Sequence, residues 1–567
     1  MTATFTPRLP AGSIAGHAVL ALPIVLWMVA VAVINPLGNF PLNDDWSFAL
    51  AVRHLLATGE FRPLGWTSMT LVGHVFWGAL FCLPSGFSFN ALRIATLVAG
   101  ALGLIAFCAL LQALGCDRRK TAFAMVLFGF NPIYLNLANT FMTDVGFATL
   151  SLFSTLFFWR YLVARQPGRL LWAMVFAIAA LSVRQLALFL PIAMLAAFIV
   201  ERKKDWRAIA LALATLLVSM ALLYAFDAWL NARHATPALY GKPSEVLFRQ
   251  LASPITFVIG VLQNVRRALA YLGWFLFPVL MWRLPAIVRE YASVTLGKSL
   301  LMVAAIIALA WFVAMVAFHH FMPVATNIVQ ASGLGPVLMH DADNGNLAAL
   351  PAAFWISITF LAAVGGILLL LDVGLTIRTI VANFRARQID AATSLRVFVL
   401  IGVCAYLGPI MAISYYDRYL MPPTFLLIAL IMLEGRAEAT SAPQRRWSAQ
   451  SINFISTLTL LYMCAFSVAG THDYMNWNRA RWQLLQQLAA EGVAPERIDG
   501  GFEFNGLHMY DPAYVVSASK SFWWVHDDEY IVQFKPRDGY RIVASADAEG
   551  WLPPFRRELL VLKRDGS

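Results

Sequence analysis

Apolar runs of about twenty residues, separated by short polar turns, recur from Gly16 to Val468. At helical rise, runs of that length match the hydrocarbon thickness of a bilayer. They are continuous rather than alternating, so helices rather than barrel strands are the predicted crossings. The pattern predicts about thirteen. The first is Gly16 to Ile34, read as an uncleaved span because no small-residue cleavage site follows it. The next three run about Asn90 to Leu114, Thr121 to Leu137 and Val145 to Tyr161. The fifth rises from Leu171 to Arg184-Gln185, and the sixth descends with almost no linker. Later spans are about Ile209 to Leu230, Ala268 to Trp282, Leu300 to Phe318 and Ala352 to Leu371. The eleventh ends at Tyr415, the twelfth at Glu434, and the last is Ile452 to Val468.

Two stretches between the first and second spans break this rhythm. Ser47 to Glu60 places Phe48, Val52, Leu55 and Leu56 at helical spacing on one side, which predicts a helix lying in the interface. Trp66 to Leu83 is apolar but interrupted by Gly73, His74 and Gly78 and stopped by Pro84, which predicts an interfacial or re-entrant piece. His54 and His74 are read as interfacial polar residues. Arg266-Arg267 interrupts the run before the eighth span and predicts another interfacial segment.

From Thr471 the pattern changes. Arg479 to Glu491 is amphipathic, and short strand-like runs follow at Tyr530 to Phe534, Tyr540 to Ala544 and Leu559 to Leu562, separated by turn residues such as Pro536-Arg537-Asp538-Gly539. The division predicted is a transmembrane domain over 1–470 and a small α/β domain over 471–567.

Composition agrees with a polytopic membrane protein. Of 567 residues 60% are hydrophobic and 13% charged, against about 25% charged in soluble chains. The formal net charge of +11 does not point to nucleic acid, because Lys and Arg gather in short turns between apolar runs. The turns are Asp117-Arg118-Arg119-Lys120, Arg160 to Arg169, Glu201-Arg202-Lys203-Lys204, Arg283 to Lys298, Arg378 to Arg396 and Arg436 to Arg446. Placing all of them in the cytoplasm satisfies the positive-inside rule. The N-terminus is then cytoplasmic, and an odd number of crossings puts the C-terminal domain on the opposite side. Cys82, Cys108, Cys116, Cys404 and Cys464 show neither metal-ligand spacing nor a disulfide framework.

The candidate chemistry lies at the outer rim. Asp44 and Asp45 sit beside the end of the first span, where carboxylates are costly unless paired, hydrated or functional. Helix capping by Asn43 or Asp44 is the plain alternative. In the functional reading, Asp44, ahead of Asp45, takes a proton from an acceptor as it attacks a sugar's anomeric carbon. Asp144 shares that face and is also placed to cap the fourth span. Arg184, between two apolar runs with no loop, and Arg418, beside Asp417, are candidates for gripping a lipid phosphate. His319-His320 could join the acids around a divalent cation, although adjacent histidines point apart on a helix. In the tail, Trp523-Trp524-Val525-His526-Asp527-Asp528-Glu529 is read as packing the domain onto the membrane face.

These motifs resemble a known family. Asp44-Asp45 followed by Ala49, Arg53, Leu56, Gly59 and Glu60 is similar to the first outer loop of the protein O-mannosyltransferase-like GT-C glycosyltransferases, which include the lipid A aminoarabinose transferases. Met142-Thr143-Asp144 is similar to their Thr-Asp at the fourth span. Arg418-Tyr419-Leu420-Met421-Pro422 is similar to their Arg-Tyr-Leu-x-Pro turn, and Arg184 stands where they carry a basic residue. The resemblance covers about residues 17 to 435. It implies a GT-C fold and an enzyme of the bacterial inner membrane that takes a hexosyl or pentosyl group from a polyprenyl-phosphate donor. The acceptor would be a periplasmic lipid, glycan or protein. The resemblance makes Asp44 the catalytic residue and Arg184, Arg418 and Tyr419, with Asp144, the binding set; it assigns no cofactor. The departure is Asp45 where the family carries Glu. Two other readings stand beside this one. A ligase or polymerase of lipid-linked oligosaccharide would want a larger outer cavity, which the His319 to Leu350 loop allows. A flippase or transporter would show related halves and midplane polar groups, whereas here the polar residues gather at one rim.

Overall fold

The computed structural model describes residues 14–201, 205–340, 348–413, 415–438, 446–515 and 523–566. The turn residues Arg202, Lys203, Lys204 and Arg445 and the loop residues Asp341, Asp343 and Gly345 lie outside the described residues. Helix α1 (Ile14–Ile34) leads into a loop bearing two short helices, α2 (Asp45–Thr58) and α3 (Val72–Cys82). After α4 (Phe89–Ala113), α5 (Arg118–Gly129) and α6 (Pro132–Ala138) follow one another across a bend of 64°. The bend falls where Pro132 cannot donate a backbone hydrogen bond, and the Asn131 side chain caps the second piece through the Ile133 amide. Next come α7 (Thr143–Ala164), α8 (Pro167–Val183), α9 (Phe189–Val200), α10 (Trp206–Ala232), amphipathic α11 (Lys242–Leu251), α12 (Pro254–Ala292) and α13 (Gly297–Ala317). A hairpin, β1 (Val329–Gln330) and β2 (Gly333–Leu334), precedes α14 (Ala352–Arg385), α15 (Ala391–Ile413), α16 (Met421–Glu438) and α17 (Arg446–Ala490).

Nine helices among the described residues are long and apolar enough to cross a membrane, or ten where the bent pair counts as one span. With the shorter apolar helices α1, α8 and α9, the order reproduces the thirteen expected segments, and α3 remains a short piece of the first loop. Two boundaries differ from expectation. Arg266 and Arg267 lie inside a single 39-residue helix, α12. That helix is about 58 Å long at 1.5 Å per residue, so it carries both arginines on an extension beyond any ~30 Å hydrocarbon layer; α11 is the amphipathic piece. The last span and the amphipathic tail helix are likewise one helix of 45 residues. At about 68 Å, α17 is more than twice the hydrocarbon thickness and leaves the bundle as a rigid arm. Where α12 crosses α14, a Cβ on Gly273 would stand 2.3 Å from the Ala362 carbonyl oxygen, so backbone meets backbone.

The tail after α17 forms a four-stranded sheet in the order β3-β4-β6-β5, where β3 is Ile498–Asp499, β4 Tyr530–Gln533, β5 Tyr540–Glu549 and β6 Arg556–Arg564. β3 runs parallel to β4, and the other neighbours are antiparallel. A short helix, α18 (Phe502–Met509), lies against α2.

Three buried ionisable side chains hold the first loop in place. Arg93, near the start of α4, donates to the carbonyls of Pro36, Gly38 and Phe40 at 2.5 to 2.9 Å. Asp45 accepts from the amides of Leu42 (2.6 Å) and Phe141 (3.0 Å), tying the loop to the joint before α7. Glu503 of α18 accepts from the Asn43 amide at 3.1 Å, and its other oxygen takes two bonds at 3.0 Å from Arg481 of α17. Arg481 and Glu503 are both wholly buried. Trp46 fills a cage of Phe502, Trp66, Tyr510 and Trp524, and a Cβ on Gly506 would come within 2.5 Å of its ring.

Glu503→Ala leaves the Arg481 guanidinium buried without a counter-charge, and the expected loss is about 3–5 kcal/mol, read as a lower denaturation midpoint of the purified protein. Burial pushes the Asp45 carboxyl up to about 7, against the lowering pull of the Phe141 and Leu42 amides and Arg93. The folded protein therefore keeps a proton that the unfolded chain releases near 3.8. Stability should fall as pH rises from about 4 through about 7. Asp45→Asn should flatten that slope in a series of melting curves; an unchanged slope would assign it to another group.

Candidate active site

Asn43, at φ +57°, turns the chain so that Asp44 and Asp45 leave in different directions. Asp44 occupies the N-cap position of α2 but makes no side-chain cap bond. Its Oδ1 accepts from the Trp66 indole N–H at 3.0 Å, and its Oδ2 meets Arg418 Nη1 at 3.2 Å. Asp44 keeps 22% of its side chain exposed. Asp45 is 1% exposed, and both its oxygens are taken by backbone amides. Of the acidic doublet, only Asp44 faces the site; Asp45, expected beside it in the chemistry, is a brace.

Arg184 sits where α8 stops and a tight 3-10 turn opens α9, in extended backbone with no loop. Its Nε donates to Thr143 Oγ1 at 2.8 Å, and its Nη atoms meet both oxygens of Asp144 at 3.0 and 3.1 Å. Thr143 and Asp144 form the first turn of α7, and neither caps it through its side chain. Arg418 and Tyr419 belong to a 3-10 turn, Asp417–Leu420, ahead of α16. The Asp417 carboxylate anchors that turn by accepting from the amides of Ile328 and Val329 at 2.7 to 3.1 Å. The Tyr419 ring lies between the two guanidinium groups, 5.6 Å from each. Asp44, Asp144 and Tyr419 all act electrostatically on Arg418.

One continuous cluster therefore contains Asp44, Arg418, Tyr419, Arg184 and Asp144. It holds a partly exposed carboxylate beside two nearly buried guanidinium groups. Arg184 Nη1 has an ion-pair contact but no aligned hydrogen-bond acceptor, and Arg418 Nε has no acceptor among the described residues. An anion is a ligand that guanidinium groups suit. The arrangement sets a partly exposed carboxylate beside two guanidinium groups.

Other candidates fall elsewhere. His319 and His320 line a separate cavity with Arg266 and Arg267, and among the described residues no group of three His, Cys, Asp or Glu is placed to hold a metal ion. His74, expected at the interface, packs inside the protein: it is 3% exposed, bonded to the Phe141 carbonyl at 3.0 Å and stacked on the Phe141 ring. His54 lines a cavity on α2. In the tail, Trp524 belongs to the cage around Trp46. Trp66, Arg93 and Glu503 escaped sequence reasoning as parts of the site, whereas Thr143 enters it only within a motif, with no role in the site. Arg93 could have been found as a charge inside an apolar run; Trp66 and Glu503 carry no local signal.

No family model matches the sequence, and no curated protein matches it. Among solved structures, the archaeal oligosaccharyltransferase AglB from Archaeoglobus fulgidus, in complex with an inhibitory peptide and a dolichol-phosphate, is similar at 12% identity and a TM-score of 0.42. The likeness covers 85% of this chain and 60% of that one, so the chain spans well under the full length of AglB. ArnT from Cupriavidus metallidurans bound to undecaprenyl phosphate is similar over 98% of this chain and 99% of its own, at 15% identity and a TM-score of 0.40. The arabinosyltransferase EmbB from Mycobacterium smegmatis is similar over 86% of this chain and 44% of its own, at 12% identity and a TM-score of 0.33. At TM-scores this low the likeness assigns no function.

Proposed function

We propose that this chain is a GT-C-type glycosyltransferase of the bacterial inner membrane that moves a sugar from a polyprenyl-phosphate donor to an acceptor on the periplasmic side. The observation that carries the reading is the contact of Asp44 with Arg418, with Tyr419 bridging to the Arg184–Asp144 pair. Asp44 is the base: of Asp44, Asp45 and Asp144 it alone combines exposure with oxygens not wholly committed to buried donors. An acceptor hydroxyl or amine attacks the anomeric carbon, its proton passes to Asp44, and the bond from that carbon to the carrier phosphate breaks. Protonation of Asp44 removes the negative charge facing Arg418. The guanidinium is then free to meet the phosphate as it takes on charge, which couples deprotonation of the acceptor to departure of the carrier. Arg184, fixed by Thr143 and Asp144, supplies a second, immobile donor. A planar guanidinium held in this way matches phosphate oxygens without rearranging.

Asp44→Asn should lower transfer by about 10²- to 10⁴-fold, with the fold retained but the melting temperature lowered, because nearly buried Arg418 loses its counter-charge. The measurement is glycosylated product formed by purified protein in detergent from a polyprenyl-phosphate sugar. Transfer at the wild-type rate would remove Asp44 from the role of base, and transfer in micelles, which have no compartments, separates catalysis from transport. Arg418→Gln should cost about 10²-fold in kcat, with the fold retained because Asp44 can rehydrate.

A further inference from the structure

A cavity of about 710 Å³ lies at the end of the bundle away from Asp44, enclosed by α5, α12, α16 and α17. Three helices fix that placement. α4 starts beside the first loop, which Arg93 grips, and ends at Ala113, about 30 Å beyond Arg93 at 1.5 Å per residue. The chain then enters the cavity wall at Asp117. α16 starts just after Arg418 and reaches the cavity at Gly435, about 21 Å further on. α12 begins at the Asp44 end, where Asn264 donates to the Met411 carbonyl at 3.0 Å ahead of the Arg418 turn, and runs away from it.

The lining is apolar at depth and basic at the surface. The Phe123 ring of α5 meets the Trp282 ring of α12 at 4.3 Å. Arg119 lies one helical turn from Phe123 and shares its face. Arg289 lies two turns beyond Trp282 and shares its face. Because α5 runs toward the Asp44 end and α12 away from it, both arginines stand between the ring pair and the membrane surface. Ile431 and Ile452 extend the apolar floor. Two other cations in the lining are already matched. Arg283 donates to Asp372 at 2.9 Å, and Lys120 lies 3.9 Å from Asp117, the one carboxylate among the described lining residues. Arg119 and Arg289 have no carboxylate partner among the described residues. The buried indole N–H of Trp282 has no acceptor among them.

We propose that this cavity holds an anionic glycerophospholipid of the leaflet facing away from Asp44, with its phosphate between Arg119 and Arg289 and the start of its acyl chains on the Phe123–Trp282 floor. A small soluble anion would match the arginines and leave the apolar floor uncovered. A lipid without net charge would cover the floor and leave two cations unbalanced. A charged headgroup on an acyl chain answers both, and a basic pocket between membrane helices is suited to it. The cavity shares no residue with the Asp44 cluster, so the proposal stands independently of the transferase reading.

Delipidated full-length protein in maltoside micelles would be titrated with phosphatidylglycerol or phosphatidylcholine, and bound lipid counted by native mass spectrometry. Phosphatidylglycerol should bind about ten- to thirtyfold more tightly. Arg119→Gln with Arg289→Gln should remove that preference and leave the affinity for phosphatidylcholine unchanged. Both arginines are exposed, so the double variant leaves no buried charge unpaired and should keep the wild-type melting temperature. Phosphatidylglycerol with a diazirine near the carboxyl end of one acyl chain should label the peptides that contain Phe123 and Trp282. Equal affinity for the two lipids, a preference that survives in the double variant, or labelling that avoids both peptides would overturn the proposal. Displacement of phosphatidylglycerol by an equal concentration of inorganic phosphate would assign the cavity to a soluble anion and overturn the lipid reading.

Discussion

A charge that cannot reach water must find a partner, and at the outer end of this bundle that requirement assembles the site. Asp144 is nearly buried and is matched by both Nη atoms of Arg184. Arg418, also nearly buried, is matched by Asp44. Asp417 has no ion-pair partner among the described residues and instead accepts from two backbone amides. Removing one member of such a pair is far more costly than removing both. The turns that carry them are therefore fixed in pairs, the head of α7 to the α8–α9 turn and the head of α2 to the turn before α16. Tyr419 completes the arrangement by offering one ring to both guanidinium groups, which like charges would otherwise keep apart.

The C-terminal domain extends the same logic. Its arm, α17, is one helix from the bundle to Ala490, so the domain cannot swing freely about a linker at residue 470. Arg479 of the arm donates to the carbonyls of Ile34 and Asn35 at the end of α1. Arg481, two residues on, holds Glu503, and Glu503 holds the amide beside Asp44. The domain thus reaches the loop that bears the proposed base through a chain of buried polar contacts and an aromatic cage. Its position over Trp46 is enforced by the absence of a side chain at Gly506.

The crossings are legible in the sequence because each is a local property: twenty apolar residues announce a span without reference to any other part of the chain. Asp44, Asp144, Arg184 and Arg418 are legible for a related reason, since a charge next to an apolar run is locally expensive. What escapes depends on contacts distant in sequence. Trp66 is 22 residues from the carboxylate it holds, and Glu503 is 460 residues from Asn43. The continuity of α12 and α17 escapes for another reason. Arginines and polar residues read as the end of a span, but a helix that has left the bilayer has its backbone satisfied internally and has no cause to stop there.

The division of labour between Asp44 and Asp45 shows how far composition can mislead. Two identical side chains stand next to each other, and a doublet reads as a pair acting together. Successive residues at a helix start point about 100° apart, so one neighbour faces the α6–α7 joint and the other faces the α16 turn. Burial then separates their chemistry. Asp45, cut off from water, holds its proton to about 7. Asp44 keeps part of its side chain in water and faces the Arg418 guanidinium. Asn43 sets this fork by its left-handed backbone, which asparagine tolerates better than most residues. The first loop presents one acid to the site because the other is spent on holding the loop still.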